Sequence, residues 1–116
     1  MKAGDLWIVQ AAERLMQRIS PIVIRWDNYH RRIIGEQLVR ASSSVGANLV
    51  EGYGRGHRLD SVRFYYIARG SLEETRYWLH QARDQGLLDG RTAAELSGCY
   101  QQLEKAINSF IQSHQR

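Results

Sequence analysis

The residues of this 116-residue chain that could do chemistry are four histidines, one cysteine, a run of three serines and fourteen arginines. A metal centre needs several His, Cys, Asp or Glu side chains at ligand spacing, and no two of His30, His57, His80 and His114 lie within one helical turn. No metal and no cofactor is expected. Cys99 falls on an apolar stripe, which suits an inert thiol better than a nucleophile. Ser42, Ser43 and Ser44 have no histidine nearby in sequence and no strained elbow motif around them. One pair has an acid–base logic. Arg25 and His30, separated by four residues in "RWDNYH", could stabilise phosphate charge and transfer a proton. With so many arginines, about one such spacing is expected by chance in a chain of this length. The residues therefore read as non-enzymatic, with no catalytic group assigned.

Arginine is the stronger signal. The net charge is +4, and it resides between residues 25 and 69, where eight arginines face four acids. Arginine's planar fork suits phosphate, so a basic surface of Arg25, Arg31, Arg32, Arg40, Arg55, Arg58 and Arg63 is the candidate nucleic-acid contact, for RNA or DNA. Within it, "GYGRGHR" (52–58) places Arg55, His57 and Arg58 on a glycine-loosened backbone beside Tyr53, an aromatic able to stack or to pack. No Gly-Lys-Ser/Thr follows, so this is not a phosphate-binding P-loop. Just before it, Asn48 points toward the apolar stripe. With Glu51, Gly52 and Tyr53 it is expected to form a hydrogen-bonded structural corner that could reach a neighbouring subunit.

Four helices must position these groups. A single proline and no Asn-Gly hairpin signal argue against a β-rich domain. Helix one is expected from Asp5, its cap, with the stripe Leu6, Val9, Ala12, Met16 and Ile19, and is kinked or restarted at Ser20-Pro21, running on bent to about Trp26. Helix two begins near Asp27 or Tyr29, with Ile34, Leu38, Ala41, Val45, Asn48 or Leu49, and Gly52 inward, and ends on a left-handed Gly52. Helix three is capped by Asp60 or Ser61. It buries Tyr65, Ala68, Leu72, Thr75, Leu79 and Ala82, flanked by Phe64, Ile67, Ser71 and Trp78, and turns Arg69, Glu73, Arg76, His80 and Arg83 to solvent until Gly86. Helix four starts at a Thr92–Glu95 capping box, with Leu96, Cys99 or Tyr100, Leu103, Ile107 and Phe110 inward. Short connections make this an all-α, antiparallel up-down-up-down four-helix bundle, a single domain over 1–116. No apolar run approaches the roughly 20 residues of a membrane span, and the lone cysteine fits a reducing interior, so a cytoplasmic location is expected.

Three pieces together carry a resemblance: "QLVRASSSVGANLVEGYGR" (37–55), "FYYIARGSLEETRYWL" (64–79) and "ARDQGLL" (82–88). They resemble the bacterial four-helix-bundle proteins first noticed as reading frames in 23S ribosomal RNA intervening sequences. That family is similar to the accessory variability determinant (Avd) proteins of diversity-generating retroelements. The match spans roughly residues 30 to 112 and departs at 20–33, where "SPIVIRWDNYHRRI" is longer and more aromatic than the usual connection. The resemblance implies a homopentameric barrel and, for the Avd branch, binding to nucleic acid and to a reverse transcriptase. A surplus of aromatics (Trp7, Trp26, Tyr53, Tyr65, Tyr66, Tyr77, Trp78) is compatible with a subunit interface. The leading expectation is a scaffolding accessory protein that binds RNA or DNA. The alternatives are a protein-only oligomeric scaffold and a ribonuclease similar to the HEPN type, itself helical, using Arg25 and His30.

Overall fold

The computed structural model of the protein describes residues 6–115. The expected cap Asp5 and the side chain of Leu6 lie outside the described residues. Among the described residues the regular structure is all helical, arranged in a body of 45 × 23 × 20 Å. Helix α1 spans Leu6–Val23, α2 Glu36–Tyr53, α3 Arg58–Asp84 and α4 Gly90–Gln115. A helical turn at Asn28–His30 and a π-helical stretch at Arg31–Gly35 lead into α2. Consecutive helices are antiparallel neighbours, and α4 closes the ring against α1.

Each boundary has a local cause, and several differ from expectation. Pro21 neither restarts nor ends α1, which continues to Val23. In the last turn it removes a single donor, the one that would meet Gln17 O, and little helix is left beyond it to bend. The chain then tightens, with Arg25 N–H on Ile22 O at 3.2 Å and Trp26 N–H on Val23 O at 3.0 Å. Asp27 caps the next turn by accepting from His30 N–H at 3.3 Å. In the π stretch, the Glu36 N–H reaches back to Arg31 O. Gly35 is buried there, and a Cβ on it would lie 2.5 Å from Val23 Cγ1.

Gly52 does not terminate its helix in the left-handed region. The helix continues to Tyr53, and Gly86 alone has positive φ among the described residues. Gly52 is there for close approach: a Cβ would meet Phe64 Cβ and Tyr65 Cε1 at 2.8 Å and Ser61 O at 2.9 Å. Helix α3 starts earlier than expected, with His57 as cap in place of Asp60 or Ser61; its ring nitrogen accepts from Leu59 N–H at 3.3 Å. Gly86 does end α3, at φ 76°, with Leu87 N–H on Ala82 O at 2.9 Å and Gly86 N–H on Arg83 O at 3.0 Å, the paired bonds of a Schellman stop. Helix α4 is capped by Asp89 and not by Thr92, whose own N–H donates to Asp89 Oδ1 at 2.7 Å. Glu95, freed from the expected box, pairs with Arg18 of α1.

One apolar cluster runs through all four helices. The expected α3 stripe is buried throughout, Tyr65 included, so that tyrosine is core and not interface. In α1 the core positions are Ile8, Val9, Ala12, Leu15, Ile19 and Val23, whereas Met16 is half-buried. In α4 Tyr100 takes the place left open between it and Cys99, and Ile111 lies deeper than Phe110. Ile67, expected as a buried flank, is exposed.

Candidate nucleic-acid interface

The α2–α3 corner brings three of the seven candidate arginines to one end of the bundle. Arg55 and Arg63 both lay their guanidinium groups against the Phe64 ring, at 4.6 and 4.9 Å from its centroid. Arg58 opens α3 between them in sequence. The connection is shorter and more tied than its glycines suggest. Ser61, buried, donates to His57 O at 3.1 Å and Arg55 O at 3.4 Å, and Gly54 N–H bonds Val50 O at 3.0 Å. Glu51 accepts from Arg55 at 2.7 Å, partly compensating that cation. Arg63 has no ion pair among the described residues.

Asn48 is half-buried and faces the α2–α3 seam rather than the core centre. Its amide donates to Ser44 O at 2.8 Å and Ser44 Oγ at 2.9 Å, and Ser44 Oγ meets Ser71 Oγ at 2.9 Å. The corner group of Asn48, Glu51, Gly52 and Tyr53 thus combines a polar tie across the seam with a glycine contact and a half-buried tyrosine.

The other candidates lie elsewhere. Arg25, Arg31 and Arg32 sit on or just after the α1–α2 connection, at the opposite end, and Arg40, exposed in the second turn of α2, lines a shallow depression with Arg31 there. At 1.5 Å per residue, Arg32 and Arg55 are separated by roughly 35 Å along the helix. The seven do not form one continuous patch. Arg31 folds back onto its own turn, donating to Asn28 Oδ1 at 3.4 Å and Ile24 O at 3.5 Å. Beside it, Asp27 Oδ1 lies 2.6 Å from His30 Nδ1. An ionised carboxylate only accepts, so this contact places the proton on Nδ1. The His30 bond is also the main reason Asp27 is held below the ordinary carboxylate range. No hydrogen bond or ion pair joins Arg25 to His30. Ser42 and Ser43 donate back to the carbonyls of Val39 and Arg40, at 3.2 and 3.1 Å.

On the Arg69–Arg83 side of α3, Glu73, Arg76, His80 and Arg83 are exposed as expected, but the side also carries a polar feature that the spacing along α3 does not show. That face borders α4. Arg69 donates to Asn108 Oδ1 at 3.1 Å, and Arg76 lies 5.5 Å from the Tyr100 ring centroid. The Tyr100 hydroxyl reaches Glu73 at 2.5 Å and Glu104 at 2.8 Å, so one proton serves two carboxylates. Burial first, and then those two acceptors, push Tyr100 above its ordinary 10.0. The Tyr100 bond first, and then the nearby Arg76 and Arg69 charges, hold Glu73 below its ordinary 4.5. The signal available in the sequence was Glu104, one turn beyond Tyr100 on the same helix face.

The sequence profile of the 23S rRNA-intervening sequence proteins matches residues 4–109 of this chain. The chain belongs to that family. Its fold is shared with the crystal structure of a protein of unknown function from the S23 ribosomal protein family of Bacteroides thetaiotaomicron VPI-5482, with a TM-score of 0.86. The two are 21% identical over 93% of this chain and 97% of that one, a likeness that speaks to fold alone. No curated protein matches. In this member of the 23S rRNA-intervening sequence proteins, two of the three resembling pieces, 37–55 and 64–79, form nearly all of α2 and the middle of α3. The third, 82–88, is the Schellman stop.

Proposed function

We propose that the protein is a non-enzymatic accessory protein that binds RNA or DNA, as the Avd branch would, and assembles as a homo-oligomer, a pentameric barrel by the family resemblance. In that role it would hold nucleic acid for a partner enzyme such as the reverse transcriptase of a retroelement. The observation that carries the reading is the pair of guanidinium groups, Arg55 and Arg63, held against Phe64 beside Arg58 at the α2–α3 corner. A stacked guanidinium keeps its edge N–H groups available for phosphate and surrenders little side-chain entropy on binding. An oligomer would repeat this corner in every subunit, supplying the multivalency that three arginines on one protomer lack.

Assembly is supported by two unlike surfaces. Helix α3 exposes Ile67 and Tyr77, with Tyr66 partly covered by Arg69 and bonded by Gln115 of α4, whereas α1 and α2 enclose a shallow groove lined by Ala12, Met16, Gly46, Ala47 and Val50 with Glu13, Ser42 and Ser43. A ridge on one face and a groove on another suit a heterologous contact, the kind that closes into a ring. Binding measured by fluorescence anisotropy across a salt series tests the nucleic-acid reading. Each protomer's three arginines predict a log–log salt slope of roughly −2 to −3, and Arg58→Ala/Arg63→Ala should lessen its magnitude by about 2. No binding at low salt would leave the protein-only scaffold.

One observation favours a second reading. Asp27 fixes the His30 ring through Nδ1, leaving Nε2 as the free nitrogen of an oriented base, as a ribonuclease similar to the HEPN type would need. Cleavage of structured RNA, abolished in His30→Ala, would replace the accessory role with that one.

A further inference from the structure

The groove between α3 and α4 lies on a different face from the α2–α3 corner. It holds about 190 Å³. Its α3 wall presents Arg76, His80 and Arg83, one helical turn apart in sequence. The α4 wall presents Ser97, Gln101 and Glu104. Leu79 and Leu96 form an apolar floor.

The two ends of this groove differ in charge. At one end Arg76 lies over Tyr100 and 3.9 Å from Glu73, and Glu104 accepts from Tyr100, so cation and acids offset each other and carboxylate oxygens remain as acceptors. At the other end His80 has no hydrogen-bond partner among the described residues. Arg83 touches Asp84 only at 3.5 Å, with both side chains more than half exposed, a contact that retains little of the arginine's charge. Acceptors at one end and donors at the other are separated by about 10 Å of helix, and the floor between them is apolar. A ligand matching this order carries an anion, a flat apolar middle and a donor edge. A fatty acid lacks the donor edge, and a peptide carboxylate brings a single negative charge on two oxygens to an end built of His80, Arg83 and Ser97, where a phosphate brings nearly two charges on three oxygens.

We propose that this groove binds a nucleoside monophosphate that carries an exocyclic amine. The phosphate sits at His80 and Arg83 with the Ser97 hydroxyl opposite, the base lies on the leucine floor, and its amine donates toward Gln101 and Glu104. A free mononucleotide and the 5′-terminal nucleotide of a strand offer the same chemistry.

Calorimetric titration with CMP, UMP and inorganic phosphate tests the site. CMP should bind with a dissociation constant below about 1 mM, UMP roughly tenfold more weakly, and His80→Ala/Arg83→Ala should lose CMP binding at least tenfold. Both substituted side chains are exposed, and an unchanged melting temperature would show that the variant folds. Absence of CMP binding, binding unchanged in the double variant, or phosphate bound as tightly as CMP would each overturn the proposal. Oligonucleotides with and without a 5′-phosphate then separate the sources. A preference for the phosphorylated strand, lost in His80→Ala/Arg83→Ala but kept in Arg58→Ala/Arg63→Ala, assigns the groove to strand ends. CMP binding without that preference assigns it to free nucleotides. Loss of strand binding in Arg58→Ala/Arg63→Ala with CMP binding intact leaves this site standing apart from the corner.

Discussion

At Gly52 a single absent methyl group sets how closely α2 and α3 cross, because three atoms of α3 lie within 2.9 Å of where a Cβ would be. Two of the contacts are backbone or near-backbone atoms that cannot swing away. Gly52→Ala should therefore destabilise by about 1–3 kcal/mol, the usual range for overpacking, in a chemical-denaturation experiment. Gly46 is the control, since its Cβ would meet Ala12 Cβ at an ordinary 3.6 Å, and Gly46→Ala should be neutral or slightly stabilising. Tyr100 makes a second residue-scale prediction. Its folded-state proton is held above the ordinary 10.0, so its contribution is complete below that value and is lost as pH rises above it. Glu73 is displaced downward, so its contribution is present above 4.5 and is lost as pH falls through its folded value. A plot of melting temperature against pH should fall on both sides of neutrality. In Tyr100→Phe the alkaline fall should shrink and the neutral plateau should drop, because two carboxylates lose their shared donor.

At the scale of elements, the apolar stripes were readable because helical periodicity is a local property of the chain, and α3 follows its expected stripe without exception. The ends were less readable. Gly52, Asp60 or Ser61, and Thr92 are all reasonable boundary residues by type, but each helix extended beyond them because packing at the corner and a cap one turn earlier were more favourable. Asp89 illustrates this. It is held below its ordinary 3.8 chiefly by the Thr92 N–H bond, so its capping contribution is present above that value and disappears as pH falls through its folded value. Asp89→Ala should lower the melting temperature at pH 7, and the deficit should close in acid. Gly86 is the complementary stop. With φ at 76°, Gly86→Ala should cost about 1–2 kcal/mol, measurable by urea titration.

For the molecule as a whole, the arginine clustering seen along the chain did not survive folding as one surface. An antiparallel bundle sends the two ends of α2 to opposite poles, so residues 25–32 and 55–63 are separated however basic the segment between them. The corner cluster is the part that assembled. Oligomerisation is the prediction at this scale. Tyr77→Arg, on the exposed ridge of α3, should shift the mass measured by light scattering from oligomer to monomer without lowering helicity, because that side chain is 54% exposed in the single chain. An unchanged mass would remove the ridge from any interface.

The sequence by itself determined the helix count, the buried stripes of α2 and α3 and the family, because periodicity, glycine and proline punctuation and short motifs are written in local order. Only the tertiary structure decided which arginines share a surface, why Gly52 must lack a side chain, and that the exposed side of α3 forms a groove with α4. Those facts depend on which residue of a distant helix stands opposite, and no local pattern encodes that.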